Sequence, residues 1–216
     1  MSSPLCSSRA HPRFQLYDVA KGLHYLHSCN VIHGDLKGVC CRSNFGHITA
    51  LTRVQANILM DDSGNARLAD FGFTTVTLNL DSVRSVQCQR GFTPRWTAPE
   101  VLDEGPHSKE SDRFSFAMVM IEVRQERQTA RRILAYCHFI SIQVFTGAIP
   151  FSKRSATMAM VVITQGGRPQ RPTHPTFTEN LWTLMQRCWD HDPHSRPEVS
   201  EALQVLLTPS VSCSFQ

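Results

Sequence analysis

Three short clusters follow one another along this chain: His33-Gly34-Asp35-Leu36-Lys37, then Asp70-Phe71-Gly72, then Ala98-Pro99-Glu100. Each alone is weak, but three in this order restrict the fold severely. Around them the patterning is mostly helical. Phe14 to Cys29 sets Leu16, Val19, Ala20, Leu23 and Leu26 at the spacing of one helical face. Asn57 to Met60 and Ala66 to Ala69, parted by Asp61-Asp62-Ser63-Gly64-Asn65, read as a small hairpin leading directly into Asp70. Ser111 to Glu122, Ala156 to Thr164, Leu181 to Asp190 and Glu198 to Leu207 read as helices. The expected fold is mainly α with one small β-hairpin.

Composition closes off several alternatives. A chain of 216 residues suits one ordinary domain with a real core. With 41% hydrophobic and 19% charged residues it reads as globular and not disordered. The longest apolar run, Phe114 to Ile121, is far too short to span a membrane and reads as a buried helix. Eight cysteines without regular spacing, and no secretory signal, point to free thiols in a reducing, cytoplasmic compartment.

In order and content the three clusters resemble the catalytic loop, the metal-binding loop and the end of the activation segment of a eukaryotic protein kinase, most closely the tyrosine-kinase-like group. The resemblance runs from about residue 14 to residue 207. It implies the C-terminal lobe of the kinase fold, with ATP and Mg²⁺ as cofactors and a protein as phosphate acceptor. Residues 1–13 lie outside the pattern, and residues 208–216 form a tail.

Two segments interrupt that pattern. The family places an Asn five residues after the catalytic Asp. Here Asp35 and Asn57 are 22 apart, and removing the 17 residues Val39 to Gln55 restores the spacing of five. Removing the 21 residues Val123 to Gln143 likewise joins Met120-Ile121-Glu122 to Val144-Phe145-Thr146-Gly147. Both segments begin with Val, whose codons start GT, and end with Gln, which CAG encodes. We read 39–55 and 123–143 as short in-frame introns translated by a faulty gene model; genuine loop insertions are the competing reading. The two segments carry six arginines and one glutamate, a net +5, so the +4 of the whole chain leaves −1 for the rest. No basic footprint remains, which excludes a nucleic-acid partner. Cys40, Cys41 and His47 lack the paired spacing of a zinc site.

The resemblance assigns roles residue by residue. Asp35 would be the general base or the group orienting the acceptor hydroxyl, and Lys37 would offset charge on the γ-phosphate. Asn57 and Asp70 would hold Mg²⁺, and Leu59 would contact the nucleotide. His33, Phe71 and Gly72 belong to the structural and mobile parts of the two loops. Thr97 would line the substrate site and bond the catalytic Asp35. Asp112 would cap its own helix and also hold the catalytic-loop backbone, while Glu100 would pair with Arg196. Lys37 is a Ser/Thr-kinase feature, whereas Pro94-Arg95-Trp96-Thr97 looks tyrosine-kinase-like, so the acceptor stays open. Gly34 stands where regulated kinases carry an Arg that grips an activation-segment phosphate. Control through Thr74, Thr75, Thr77, Ser82 or Ser85 is therefore expected to be weak.

The sequence holds no Gly-x-Gly-x-x-Gly loop and no Val-Ala-x-Lys strand before residue 14. The expectation is a C-lobe without its N-terminal β lobe, hence a kinase inactive as this fragment. The alternative is a catalytically dead kinase-like module for binding or scaffolding. Regulatory partner domains would lie outside the chain.

Overall fold

The computed structural model describes residues 12–38, 40–41, 57–61, 65–70, 74–76, 93–122, 149–173 and 177–208. Helix α1, Pro12–Ser28, opens on a proline at its first position, where the missing N–H is no loss. Its buried stripe is Leu16, Val19, Ala20 and Leu23, the face expected from the sequence. It stops at Asn30, whose φ of +56° is a left-handed conformation that Asn tolerates. Arg13 ties α1 to the end of the terminal helix α6, Val199–Leu207, by donating to the carbonyls of Leu206 (2.7 Å) and Val205 (2.6 Å).

Among the described residues, five short strands flank the loops. β1, Val31–Ile32, pairs antiparallel with β5, Thr75–Val76. β3, Ile58–Met60, pairs antiparallel with β4, Ala66–Leu68, forming the hairpin that the sequence predicts. Within the first extra segment, β2, Cys40–Cys41, runs parallel to β3. The rest of that segment, all of 123–143, Phe71, Gly72 and residues 77–92, with Thr77, Ser82 and Ser85, lie outside the described residues.

Helix α3, Lys109–Glu122, is the hub. Phe114, Phe116, Ala117, Met118, Val119, Met120 and Ile121 are all buried. A helix apolar on every side must be enclosed, and here α1 and α5 pack against it. Its start corrects one expectation. Ser108 and Ser111 bond each other's backbone N–H reciprocally, at 3.0 and 2.9 Å, and so supply the capping box. Asp112 lies beyond that cap, and its carboxylate is directed to another segment.

The remaining helices complete the frame. α2, Pro99–Leu102, abuts α4, Ala156–Thr164. α5, Glu179–Cys188, buries Leu181, Leu184, Met185 and Cys188 at helical spacing. Phe177, Trp182 and Trp189 stack edge-to-face beside it, with centroids 6.0 and 5.5 Å apart. Among the described residues no helix is long and apolar enough to cross a membrane.

Candidate active site

Asp112, 1% exposed, fixes the loop that carries Asp35. Its Oδ2 accepts from the His33 N–H at 2.8 Å and Oδ1 from the Gly34 N–H at 2.9 Å. Its Oδ2 also bonds the ring of His27 at 2.9 Å. To present its N–H there, Gly34 adopts φ +77°, which glycine reaches without Cβ strain. The buried His33 accepts from the Asp35 N–H through Nδ1 at 3.3 Å. Burial pushes the His33 pKa down, against upward pulls from Asp112, a backbone hydrogen bond at Ala69, Asp35 and Asp70. That imidazole therefore feels the carboxylates of both the first and the second loop.

Three side chains converge at Asp35, itself 6% exposed. Lys37 Nζ donates to Oδ2 at 2.5 Å. Asn57 Nδ2 donates to the Asp35 backbone carbonyl at 2.7 Å and to Oδ2 at 2.8 Å. Thr93 Oγ1 donates to Oδ1 at 2.8 Å. The link from Asp35 to Asp70 runs through Asn57. Its N–H donates to the Lys37 carbonyl at 3.0 Å, and its own carbonyl accepts from the Ala69 N–H at 2.8 Å. Asp70 follows Ala69 with φ +61° and an exposed side chain. Leu59 stands two residues beyond Asn57 in β3.

Thr97 differs from expectation. Thr93, and not Thr97, supplies the hydroxyl on Asp35, while Thr97 Oγ1 donates to the Thr93 carbonyl at 3.0 Å. Thr97 thus supports the bonding residue from one turn away. It still faces the site: a small, open cleft is lined by Asp35, Thr93, Trp96, Thr97 and His107, among others. His107 is half-buried in that wall. Burial lowers its pKa, with Asp112 and Asp35 pulling the other way. Sequence reasoning passed over both Thr93 and His107. The only available signal was Thr93-Pro94, a hydroxyl held just ahead of a rigid turn.

Farther out, Arg196 and Glu100 form a fork-to-fork pair at 2.6 and 2.8 Å. Arg196 also donates to the carbonyls of Asp190 and Glu110, both at 2.9 Å. Ser115 Oγ donates to the Trp96 carbonyl at 2.8 Å, fastening the cleft wall to α3.

Residues 51–206 match the family model described as protein tyrosine and serine/threonine kinase. Over 192 residues, 88% of the chain, it is 33% identical to serine/threonine-protein kinase STY17 of Arabidopsis thaliana and covers 26% of that protein. It is 31% identical to STY46 of the same plant over 192 residues, covering 25% of it. It is 30% identical to the tyrosine kinase receptor Cad96Ca of Drosophila melanogaster over 194 residues, covering 20%. The chain therefore spans about a quarter of the first two relatives.

Proposed function

The chain belongs to the family of protein tyrosine and serine/threonine kinases, and from that premise we propose that it is the C-terminal lobe of a kinase that moves the γ-phosphate of ATP to a serine or threonine hydroxyl. The observation that carries this reading is the convergence on Asp35 of Lys37, Asn57 and Thr93. A carboxylate so held has its position fixed before substrate arrives, which is the form of catalysis that phosphoryl transfer asks of a protein. Asp35 orients the acceptor O–H and takes its proton as the oxygen attacks phosphorus. Lys37 sits where it can offset charge on the transferred group.

The donor set fits Mg²⁺. The amide nitrogen of Asn57 is directed to Asp35, so Oδ1 is the atom it can offer a cation. With the exposed Asp70 carboxylate it makes a pair of hard oxygen ligands, the kind Mg²⁺ takes alongside phosphate oxygens. When bound, Mg²⁺ neutralises charge on the β- and γ-phosphates. The Thr93 hydroxyl on Asp35 and the lysine two residues after Asp35 favour an aliphatic acceptor over tyrosine. Serine/threonine-kinase relatives agree.

The sequence given carries no Gly-rich loop to close over the phosphates, so we infer that this polypeptide alone does not transfer phosphate and that the full gene product does. Read as written, it is then a kinase-like binding module. We also propose that 39–55 and 123–143 are translated introns. The Asn57 N–H to Lys37 carbonyl bond of 3.0 Å supports this for the first segment. With Val39 to Gln55 removed, those residues become i and i+3, and the bond becomes that of an ordinary β-turn.

The test compares the full gene product with its Asp35→Asn form, using Mg-ATP and serine, threonine and tyrosine peptides. The intact protein should label serine or threonine, and the variant should lose about 10²- to 10⁴-fold. An unimpaired variant, or micromolar Mg-ATP affinity in the chain as given, overturns the respective part of the reading.

A further inference from the structure

The turn before α4 is built onto the cleft wall, and nothing in the chemistry above uses it. Arg95, two residues from the hydroxyl that bonds Asp35, donates to the carbonyls of Pro150 (3.0 Å), Phe151 (2.7 Å) and Arg154 (2.6 Å). The Arg154 N–H closes the turn on the Phe151 carbonyl at 2.9 Å. Phe151 sits at φ +54°, a strained conformation for an aromatic residue, which persists only where the surroundings enforce it. Arg95 is the enforcing group.

The side chains this turn presents are Lys153 and Arg154, both exposed. Among the described residues neither has an ion-pair partner, and the exposed Asp103 and Glu104 at the end of neighbouring α2 do not reach them. Segments 93–97 and 149–164 contain three cations and no acidic residue. The first turn of α4, capped by Ser155, has no acid either, so its free N–H groups add to the same positive field. Among the described residues no hydrogen bond or ion pair ties either side chain to the fold, although the turn that carries them is anchored beside the cleft. Side by side the two cations raise the local positive potential, which attracts a negative group to this face of the cleft.

We propose that Lys153 and Arg154 form a specificity subsite for acidic residues in the substrate peptide, two to four positions from the phosphate acceptor. The position follows from reach. Thr93 to Arg95 is two residues, about 7 Å of chain, and one arginine side chain then spans to the turn. An extended peptide advances about 3.3 Å per residue, so its second to fourth neighbours arrive there. This inference rests on the reading of the Asp35 cleft as the acceptor site, but binding can be measured without transfer.

The experiment is fluorescence anisotropy on the chain as given, without nucleotide. The labelled peptides centre on alanine in place of serine, flanked by three glutamates on one side, three on the other, or three lysines on both. One glutamate peptide should bind about five- to tenfold tighter than the lysine peptide. That preference should fade between about 0.05 and 1 M salt and vanish in the double variant Lys153→Glu, Arg154→Glu. Where the reversal fails to fold by circular dichroism, Lys153→Ala with Arg154→Ala replaces it. Equal binding, no binding by any peptide, or a preference that survives the charge change overturns the proposal. Asp35→Asn should leave the preference intact. Absence of phosphotransfer by the unmodified full gene product, with the preference retained, would count against the kinase reading and not against the subsite.

Discussion

Replacing Asp112 with Asn tests the link between α3 and the loop that carries Asp35. The carboxylate takes three donors at 2.8–2.9 Å, the His33 and Gly34 N–H groups and the His27 ring, at a site 1% exposed. Asparagine has one acceptor oxygen and an NH₂. If its oxygen keeps the Oδ2 position, His33 and His27 stay bonded and the Gly34 N–H faces another N–H. A hydrogen bond to a charged group contributes roughly 1.5–3 kcal/mol, and an orphaned buried donor costs roughly 1–3 kcal/mol. Allowing for overlap between those terms, the loss is about 2–4 kcal/mol. A domain of this size should melt roughly 4–16 °C lower at 2–4 °C per kcal/mol. Thermal and urea unfolding by circular dichroism measure the global loss. Amide exchange at Gly34, Asp35 and Leu36 shows whether it is concentrated in the loop. A variant within about 0.5 kcal/mol of the parent, or exchange unchanged at those amides, would refute the claim that Asp112 holds the loop.

Arg196→Met should cost about 3–5 kcal/mol, because it strands Glu100 and two carbonyls. Adding Glu100→Leu should recover part of that in a double-mutant cycle by urea melts, and strict additivity would count against the pair. Deleting Val39 to Gln55 shortens the loop closed by the Lys37–Asn57 bond from 20 residues to three. It should stabilise the chain by roughly 1.7 kcal/mol in urea melts; destabilisation would mean the segment belongs to the fold. Burial pushes the Cys188 thiol up to about 12. The unfolded thiol ionises first, so stability is intact below about pH 9 and falls as pH rises toward 12, by up to roughly 1.4 kcal/mol per unit. Cys188→Val should flatten that alkaline slope. His33 and His107 are depressed by burial. Their unfolded forms therefore take protons first, and urea midpoints should fall as pH drops below about 6.5.

How much of this was legible beforehand divides along a physical line. Helices α1, α3 and α4 were readable because apolar residues recur at 3.6-residue spacing or fill a continuous run. The β3–β4 hairpin was readable because a Gly-containing turn separates two short apolar runs. That Asp35, Lys37 and Asn57 meet was readable from the order of their clusters along the chain, once the family spacing was applied. The geometry around them was not. Thr93 and Thr97 are both threonines in one short loop, and only the path of the turn decides which hydroxyl meets Asp35. Asp112 and Ser108 both suit a helix start, and only the direction of the carboxylate shows that the cap is serine. Arg95 reads as a surface cation until three carbonyls are seen to converge on it.

Residues 112 to 115 show why α3 carries so much. Successive residues on a helix point about 100° apart, so four in a row face four directions. Asp112 reaches the loop that carries Asp35, and Arg113 donates to the Arg196 carbonyl at 3.1 Å and to Glu198 at 2.6 Å. The Phe114 ring has the guanidinium groups of Arg168 and Arg196 at 5.0 and 5.2 Å from its centre, and Ser115 holds Trp96. Burial and the nearby Arg196 cation bring Arg168 down to about 10, with Asp190 and Glu100 pulling the other way, while its guanidinium donates to the carbonyls of Trp189, Ile163 and Gly167. An amphipathic helix could not serve four sides at once. Enclosing α3 completely lets one rigid element set the loop with Asp35, the cleft wall with Trp96 and the Glu100–Arg196 pair relative to one another. A substitution at any of these four positions should then disturb the site from a different side.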